Sequence, residues 1–316
     1  MKYPAAFTIL AFAFAAANVS AITTLTSANF DLDGDASWDN GLPAAGNDGM
    51  INGDYNFDDL GDTNVNGNFN AAGLGAVSIT QTAGNGLGDQ YNVYGNSDFT
   101  FNLNGGSMTS DGGTFLVNGT NFNVAGGALT TLELRVGNGG NMTVSSGSLT
   151  ASLISLRGGT FSQTGGTITS DHGGPVFNRA DTSTTLNLTG GIITAGAGNN
   201  NSLINNTGLV TTIGGSLTAY LPGAVNLFSN GVHGNSSTIN FISDWTGSLT
   251  LDSETAWDDI FEAGDISVDG TELAAGDFET YFANNGGVIT LIPEPSAALT
   301  GLLGFGGLLL RRRRHA

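Results

Sequence analysis

Phe122-Asn123-Val124-Ala125-Gly126-Gly127-Ala128-Leu129-Thr130 is one copy of a motif that recurs along the middle of this chain. Phe101-Asn102-Leu103-Asn104-Gly105-Gly106-Ser107-Met108-Thr109 precedes it, and Met142-Thr143-Val144-Ser145-Ser146-Gly147-Ser148-Leu149-Thr150 follows. Phe161-Ser162-Gln163-Thr164-Gly165-Gly166-Thr167-Ile168-Thr169 and Leu186-Asn187-Leu188-Thr189-Gly190-Gly191-Ile192-Ile193-Thr194 continue the series, and weaker copies end at Thr218 and Thr250. Apolar and polar residues alternate within each copy, which is the period of a strand and not of a helix. Counted by the terminal threonine, the copies lie 21, 20, 19, 25, 24 and 32 residues apart. Such periods belong to the coils of a solenoid.

A second apolar strand lies between copies: Leu132-Glu133-Leu134-Arg135, Leu153-Ile154-Ser155-Leu156-Arg157 and Pro175-Val176-Phe177-Asn178-Arg179. Each coil therefore holds at least two short strands joined by Gly/Asn turns. In a stack of such coils Met108, Leu129, Leu149, Ile168, Ile193, Leu217 and Leu249 form one internal column, spaced about 4.8 Å apart. The Gly-Gly step supplies positive φ at a corner without the penalty of a Cβ, and the asparagines suit left-handed turns and amide ladders. The expected fold is an all-β, right-handed parallel β-helix with coils of about 19–32 residues. A sandwich or propeller fits less well, because hairpin dipeptides do not separate successive strands regularly.

Composition narrows the function classes. The 316 residues are long enough for a substantial core, 40% are hydrophobic, and glycine is abundant at 50 residues. The formal charge is −19 and there are eight basic residues. Lys2 lies at the amino end and Arg311, Arg312, Arg313 and Arg314 at the carboxyl end, so the body keeps only Arg135, Arg157 and Arg179. Nucleic-acid binding, which rests on clustered Lys and Arg, is not expected. The chain has no cysteine, which removes disulfides, thiol nucleophiles and thiolate-held zinc.

Both ends read as addresses. Lys2, the apolar run from Ala5 to Ala17 and Val19-Ser20-Ala21 have the charge, length and small residues of a secretory signal cleaved after Ala21. That implies the Sec translocon and a signal peptidase as partners. At the other end Pro293-Glu294-Pro295-Ser296 precedes an apolar run from Ala297 to Leu310 and then Arg311 to Arg314. As a helix, that run rises only ~21 Å, short of a hydrocarbon core of about 30 Å. Gly301, Gly304, Gly306 and Gly307 weaken it further. Motif, apolar segment and basic terminus, in that order, resemble the PEP-CTERM family of exported bacterial proteins. The resemblance implies an exosortase as partner, a transmembrane sorting helix held transiently in the inner membrane, and release to the cell surface or extracellular matrix. The alternative is an ordinary single-span anchor. Ser37-Trp38-Asp39-Asn40-Gly41-Leu42-Pro43 and Gly46-Asn47-Asp48-Gly49 resemble the opening of autotransporter-like β-helix surface proteins. The organisation expected is a signal peptide at 1–21, an N-terminal β region and cap at 22–100, solenoid repeats at 101–251, a β cap at 252–291 and a sorting segment at 292–316.

Three features invite chemistry. Asp31, Asp33 and Asp35 place carboxylates at alternate positions, as calcium loops do, although Gly34 comes too early for an EF-hand. The alternative is an acidic turn, so calcium is the one cofactor under consideration. Arg135, Arg157 and Arg179 fall 22 residues apart and would stack into a cationic stripe for the carboxylates of an acidic polysaccharide. The alternative is arginines satisfied by nearby Asp or Glu133. Finally, Ser107/Thr109, Ser148/Thr150, Thr167/Thr169, Ser216/Thr218 and Ser248/Thr250 point outward as a hydroxyl face. Such a face resembles ice- or glycan-binding surfaces, against which stands the preference of any solvent-facing strand for threonine. No nucleophile, metal or phosphate motif stands out, and His172 sits in Asp171-His172, most simply a turn. The sequence leads to a non-enzymatic surface or matrix protein with a structural or polysaccharide-binding role. The alternatives are a polysaccharide lyase or glycosidase on the same fold, or an ice-binding or adhesin surface.

Overall fold

The computed structural model describes residues 21–24, 39, 47–53, 55–56, 67–70, 77–88, 91–94, 98–171, 174–178, 184–196, 202–205, 208–224, 227–228, 237–252, 266–274 and 276–293. The described residues are almost entirely β. Their strands join one 22-stranded hydrogen-bonded assembly, and the helix among them is the four-residue Phe278–Tyr281.

Register shows a parallel β-solenoid with three faces. On the first face Ala21–Thr24, Asn47–Ile51, Val77–Gln81 and Phe99–Leu103 lead to residues 121–124, 141–144, 160–163 and 185–188. Val210–Ile213, Thr238–Phe241 and Ile266–Val268 then complete the ladder, each strand parallel to the next. The second face stacks Tyr55–Asn56, Asn85–Gly88 and residues 107–110, 128–131, 148–151, 167–170 and 192–195, followed by Thr218–Tyr220 and Ser248–Thr250. The third face runs through Gly67–Asn70, Tyr91–Tyr94, residues 115–118, 134–137 and 153–156 and Phe177–Asn178, with single bridges at Ile204 and Phe228. Long strands such as Asn121–Gly137 bend round the corners, where their register shifts.

Alternation decides what lies inside. Phe99–Leu103 buries Phe99, Phe101 and Leu103 and turns Thr100 and Asn102 outward. Successive coils then pile like upon like: Ile79, Phe101, Phe122, Met142, Phe161 and Leu186 form one internal file. The rings of Phe101 and Phe122 stack at 5.1 Å, and Phe115 of the third face meets Phe122 edge-on at 4.9 Å. Full burial of each such side chain contributes about 1.5–3 kcal/mol.

The Gly-Gly step sits between the first and second faces and brings neighbouring coils into backbone contact. A Cβ on Gly147, whose φ is 75°, would lie 2.2 Å from the carbonyl oxygen of Gly127 in the coil before it. Glycine is needed there for close approach as well as for conformation.

Two sequence expectations shift in register. The internal column of the second face runs Met108, Leu129, Leu149, Ile168, Ile193, Ala219 and Leu249, so Ala219 takes the place expected of Leu217. The corner here is longer: Leu217 donates its N–H to Gly214, and its carbonyl accepts from the indole of buried Trp245 at 2.9 Å. The strand restarts at Thr218, and Tyr220, not Thr218, stands between Thr194 and Thr250. The parallel ladder also extends beyond residues 101–251 in both directions, from Ala21–Thr24 to Ile266–Val268.

At its far end the parallel order stops. Val288–Leu291 pairs antiparallel with both Ser248–Thr250 and Phe282–Asn285, while Thr271–Glu272 pairs antiparallel with Ile266–Val268. Antiparallel strands laid across the last coil occupy edge groups that would otherwise template another chain.

Candidate binding faces

The third face carries the charged cluster. Glu133 and Arg135 stand two apart on one strand and so point to the same side. Arg135 grips the carboxylate with both branches, Nε to Oε1 and Nη2 to Oε2, each at 2.7 Å. Ser155, one coil on, donates to Oε1 at 3.0 Å, and Thr114, one coil back, reaches Oε2 at 3.4 Å. Burial pushes the Glu133 carboxyl up. The hydrogen bonds from Arg135 and Ser155 and the charges of Arg135 and Arg157 outweigh it, and the net shift is downward. The bond to Glu133 correspondingly raises Arg135.

These contacts replace the expected stripe of stacked arginines. Arg135 is in register with Leu116 and Ser155, and Ser155 with Asn178. Arg157 therefore lies two residues past the position that would stack on Arg135. The 22-residue spacing matches neither the 20-residue step from Arg135 to Ser155 nor the 23-residue step from Ser155 to Asn178. The Arg135 fork that would meet a ligand carboxylate is already closed on Glu133. Arg157 has its Nε buried without a hydrogen-bond partner. Arg179 lies outside the described residues.

The first face presents amides and hydroxyls that bind one another. Asn123 donates to Asn102 at 2.9 Å, Asn141 to Asn121 at 3.0 Å, and Ser267 to Asn240 at 2.9 Å. The amide hydrogen bonds thus run along strands, where like residues stack.

The second face presents two parallel rows. One reads Asn85, Ser107, Ala128, Ser148, Thr167, Ile192, Thr218 and Ser248, and the other Leu87, Thr109, Thr130, Thr150, Thr169, Thr194, Tyr220 and Thr250. Five threonines follow one another in the second row. Coil length does not break it: the steps from Thr150 to Thr169 and from Thr169 to Thr194 differ by six residues, yet both pairs are in register. The extra residues lie between Ser170 and Thr185, off the first and second faces. Ser216 falls in the corner before the strand and leaves the expected hydroxyl pairing with Thr218.

Ala21 opens the first strand of the ladder, and Pro293 is exposed just past the last one. Asp31, Asp33, Asp35, Glu294, Pro295, Ser296 and Arg311, Arg312, Arg313 and Arg314 lie outside the described residues. Within the described residues no group of acidic or histidine side chains is arranged to hold a metal, and no helix is long and apolar enough to cross a membrane.

Fold and faces together define a parallel β-solenoid with polar outer rows. Comparison with protein families, with curated proteins and with solved structures gives no match.

Proposed function

We propose that this chain is an exported, non-enzymatic, right-handed β-helix protein of the cell surface or extracellular matrix that binds polysaccharide through repeated rows of side chains. The observation that carries the reading is the uninterrupted parallel ladder, which repeats the same outward polar side chains coil after coil. Such a surface offers many weak, equivalent contacts to a ligand that is itself a repeat, and such contacts reinforce one another. Right-handedness follows from the strong bias of parallel crossovers to that hand.

The ends supply the route. The leader takes the chain through the Sec translocon, signal peptidase cuts after Ala21, and the tail with Pro293-Glu294-Pro295 holds it in the inner membrane until an exosortase acts. The test follows the chain in its own host. N-terminal sequencing of the exported protein is expected to begin at Ile22, and incubation with polysaccharides to give retention without new reducing or unsaturated ends. Retention of the leader would refute the route. Release of new chain ends would make the protein an enzyme.

A further inference from the structure

The first and second faces differ in how their polar groups are used. On the first, side chains spend their donors on the coil below, as Asn123 does on Asn102 and Asn141 on Asn121. On the second, Ser107 bonds Asn85 at 2.7 Å, but among the described residues the hydroxyls of Thr109, Thr130, Thr150, Thr169 and Thr194 make no side-chain hydrogen bond. Their donors and acceptors are left to whatever lies on the face. Three exposed apolar side chains stand in the same rows: Leu87 at 53%, Ile192 at 50% and Tyr220 at 50% exposure. Neither row contains a carboxylate, guanidinium or imidazole, while the exposed carboxylates of Asp171, Asp244 and Asp252 lie outside the strands.

We infer that the second face docks an uncharged polysaccharide along its threonine row. This rests on the polysaccharide reading above and names the ligand's class and place. A neutral sugar chain presents both kinds of group the face offers to meet, hydroxyls that donate and accept and C–H surfaces that pack on Tyr220, Ile192 and Leu87. Its hydroxyls repeat along the chain, as the threonines repeat from strand to strand at about 4.8 Å. An acidic polysaccharide fits poorly. The body carries a large excess of negative charge, and the Arg135 fork that could neutralise a carboxylate is held by Glu133.

The test uses the purified full chain in pull-down on insoluble cellulose and chitin and on immobilised alginate. Retention on a neutral polymer is expected, weakened at least about tenfold, the worth of one or two hydrogen bonds, by Thr150→Asp with Thr169→Asp. Thr143→Asp on the first face is expected to leave it unchanged. Circular dichroism checks that each variant folds, and Tyr220→Ala, which truncates an exposed ring, gives a second reading if the double variant does not. Neutral binding that survives both second-face changes would overturn the assigned face and leave the polysaccharide reading standing. Binding to alginate alone, lost in Arg157→Ala, would overturn the neutral class only. Retention on no polymer would sink both readings, and ice shaping abolished by Thr150→Asp in such a protein would give the face to ice.

Discussion

Replacing Gly147 and Gly139 by alanine, one at a time, separates conformation from contact at the solenoid corners. Both residues have φ of 75°, so each alanine incurs the left-handed penalty of about 1–2 kcal/mol. At Gly139 the new Cβ meets nothing within 4 Å, and that penalty is the whole effect. At Gly147 it would stand 2.2 Å from the oxygen of Gly127 and 2.9 Å from the carbonyl carbon of Gly126, both backbone atoms of the adjoining coil. Backbone cannot swing aside as a side chain does, so the coils must part and the packing beneath them shift, at a further cost of about 1–3 kcal/mol. Urea unfolding followed by far-UV circular dichroism is expected to show a loss of about 1–2 kcal/mol for Gly139→Ala and about 2–5 kcal/mol for Gly147→Ala. Equal losses would refute the claim that glycine is required at Gly147 by the neighbouring coil.

Phe122→Ala removes a fully buried ring that stacks on Phe101 and meets Phe115 edge-on, and thermal unfolding should report a loss of about 3–5 kcal/mol. Thr211 faces the core with its hydroxyl unpartnered. Thr211→Val keeps the shape and is expected to raise stability by about 1–3 kcal/mol, with a lower denaturation midpoint speaking against the inward placement. The Glu133 carboxyl is held below its unfolded value. Its contribution is therefore fully present above the ordinary glutamate value of about 4.3 and lost as pH falls through the lowered folded value. Wild type should exceed Glu133→Gln in stability near neutrality and converge with it in strong acid, while parallel curves would show that the carboxylate contributes nothing.

The alternation in Phe122-Asn123-Val124 and the recurring Leu129, Leu149, Ile168 and Ile193 were enough to reach parallel stacked coils, because inward residues must match along a stack. The first coils were less legible because Gly86 stands in register with buried Met108, which removes the apolar signature from that copy. The third face was legible as the second apolar strand, with Leu134, Ile154 and Phe177 in register, but its copy at Phe115 and Val117 escaped. Phe115 and Val117 continue the long strand Ser107–Asn118 round a corner, and a bend within one extended stretch leaves little trace in composition. Arg135 and Arg157 do not stack, because equal spacing in sequence is not register in the ladder. Turns of different length absorb the difference, and only strand pairing says which residues meet. The alternative reading, Arg135 satisfied by Glu133, is the one the structure bears out, since residues two apart on a strand share a side. The contrast between amides that bind one another on the first face and threonines left open on the second depends on side-chain geometry that spacing does not carry.

Spin labels on the second face test the stacked solenoid most directly, and the absence of cysteine lets them be placed one pair at a time. Thr109 is separated from Thr194 by four strand-to-strand steps and from Thr250 by six. At about 4.8 Å per step, backbone separations of ~19 Å and ~29 Å are predicted for Thr109→Cys paired with Thr194→Cys and with Thr250→Cys. Distances that grow by equal steps, although the coils between them differ in length, would bear out the account. Separations that scale with the number of intervening residues, or that fail to increase from the first pair to the second, would contradict it.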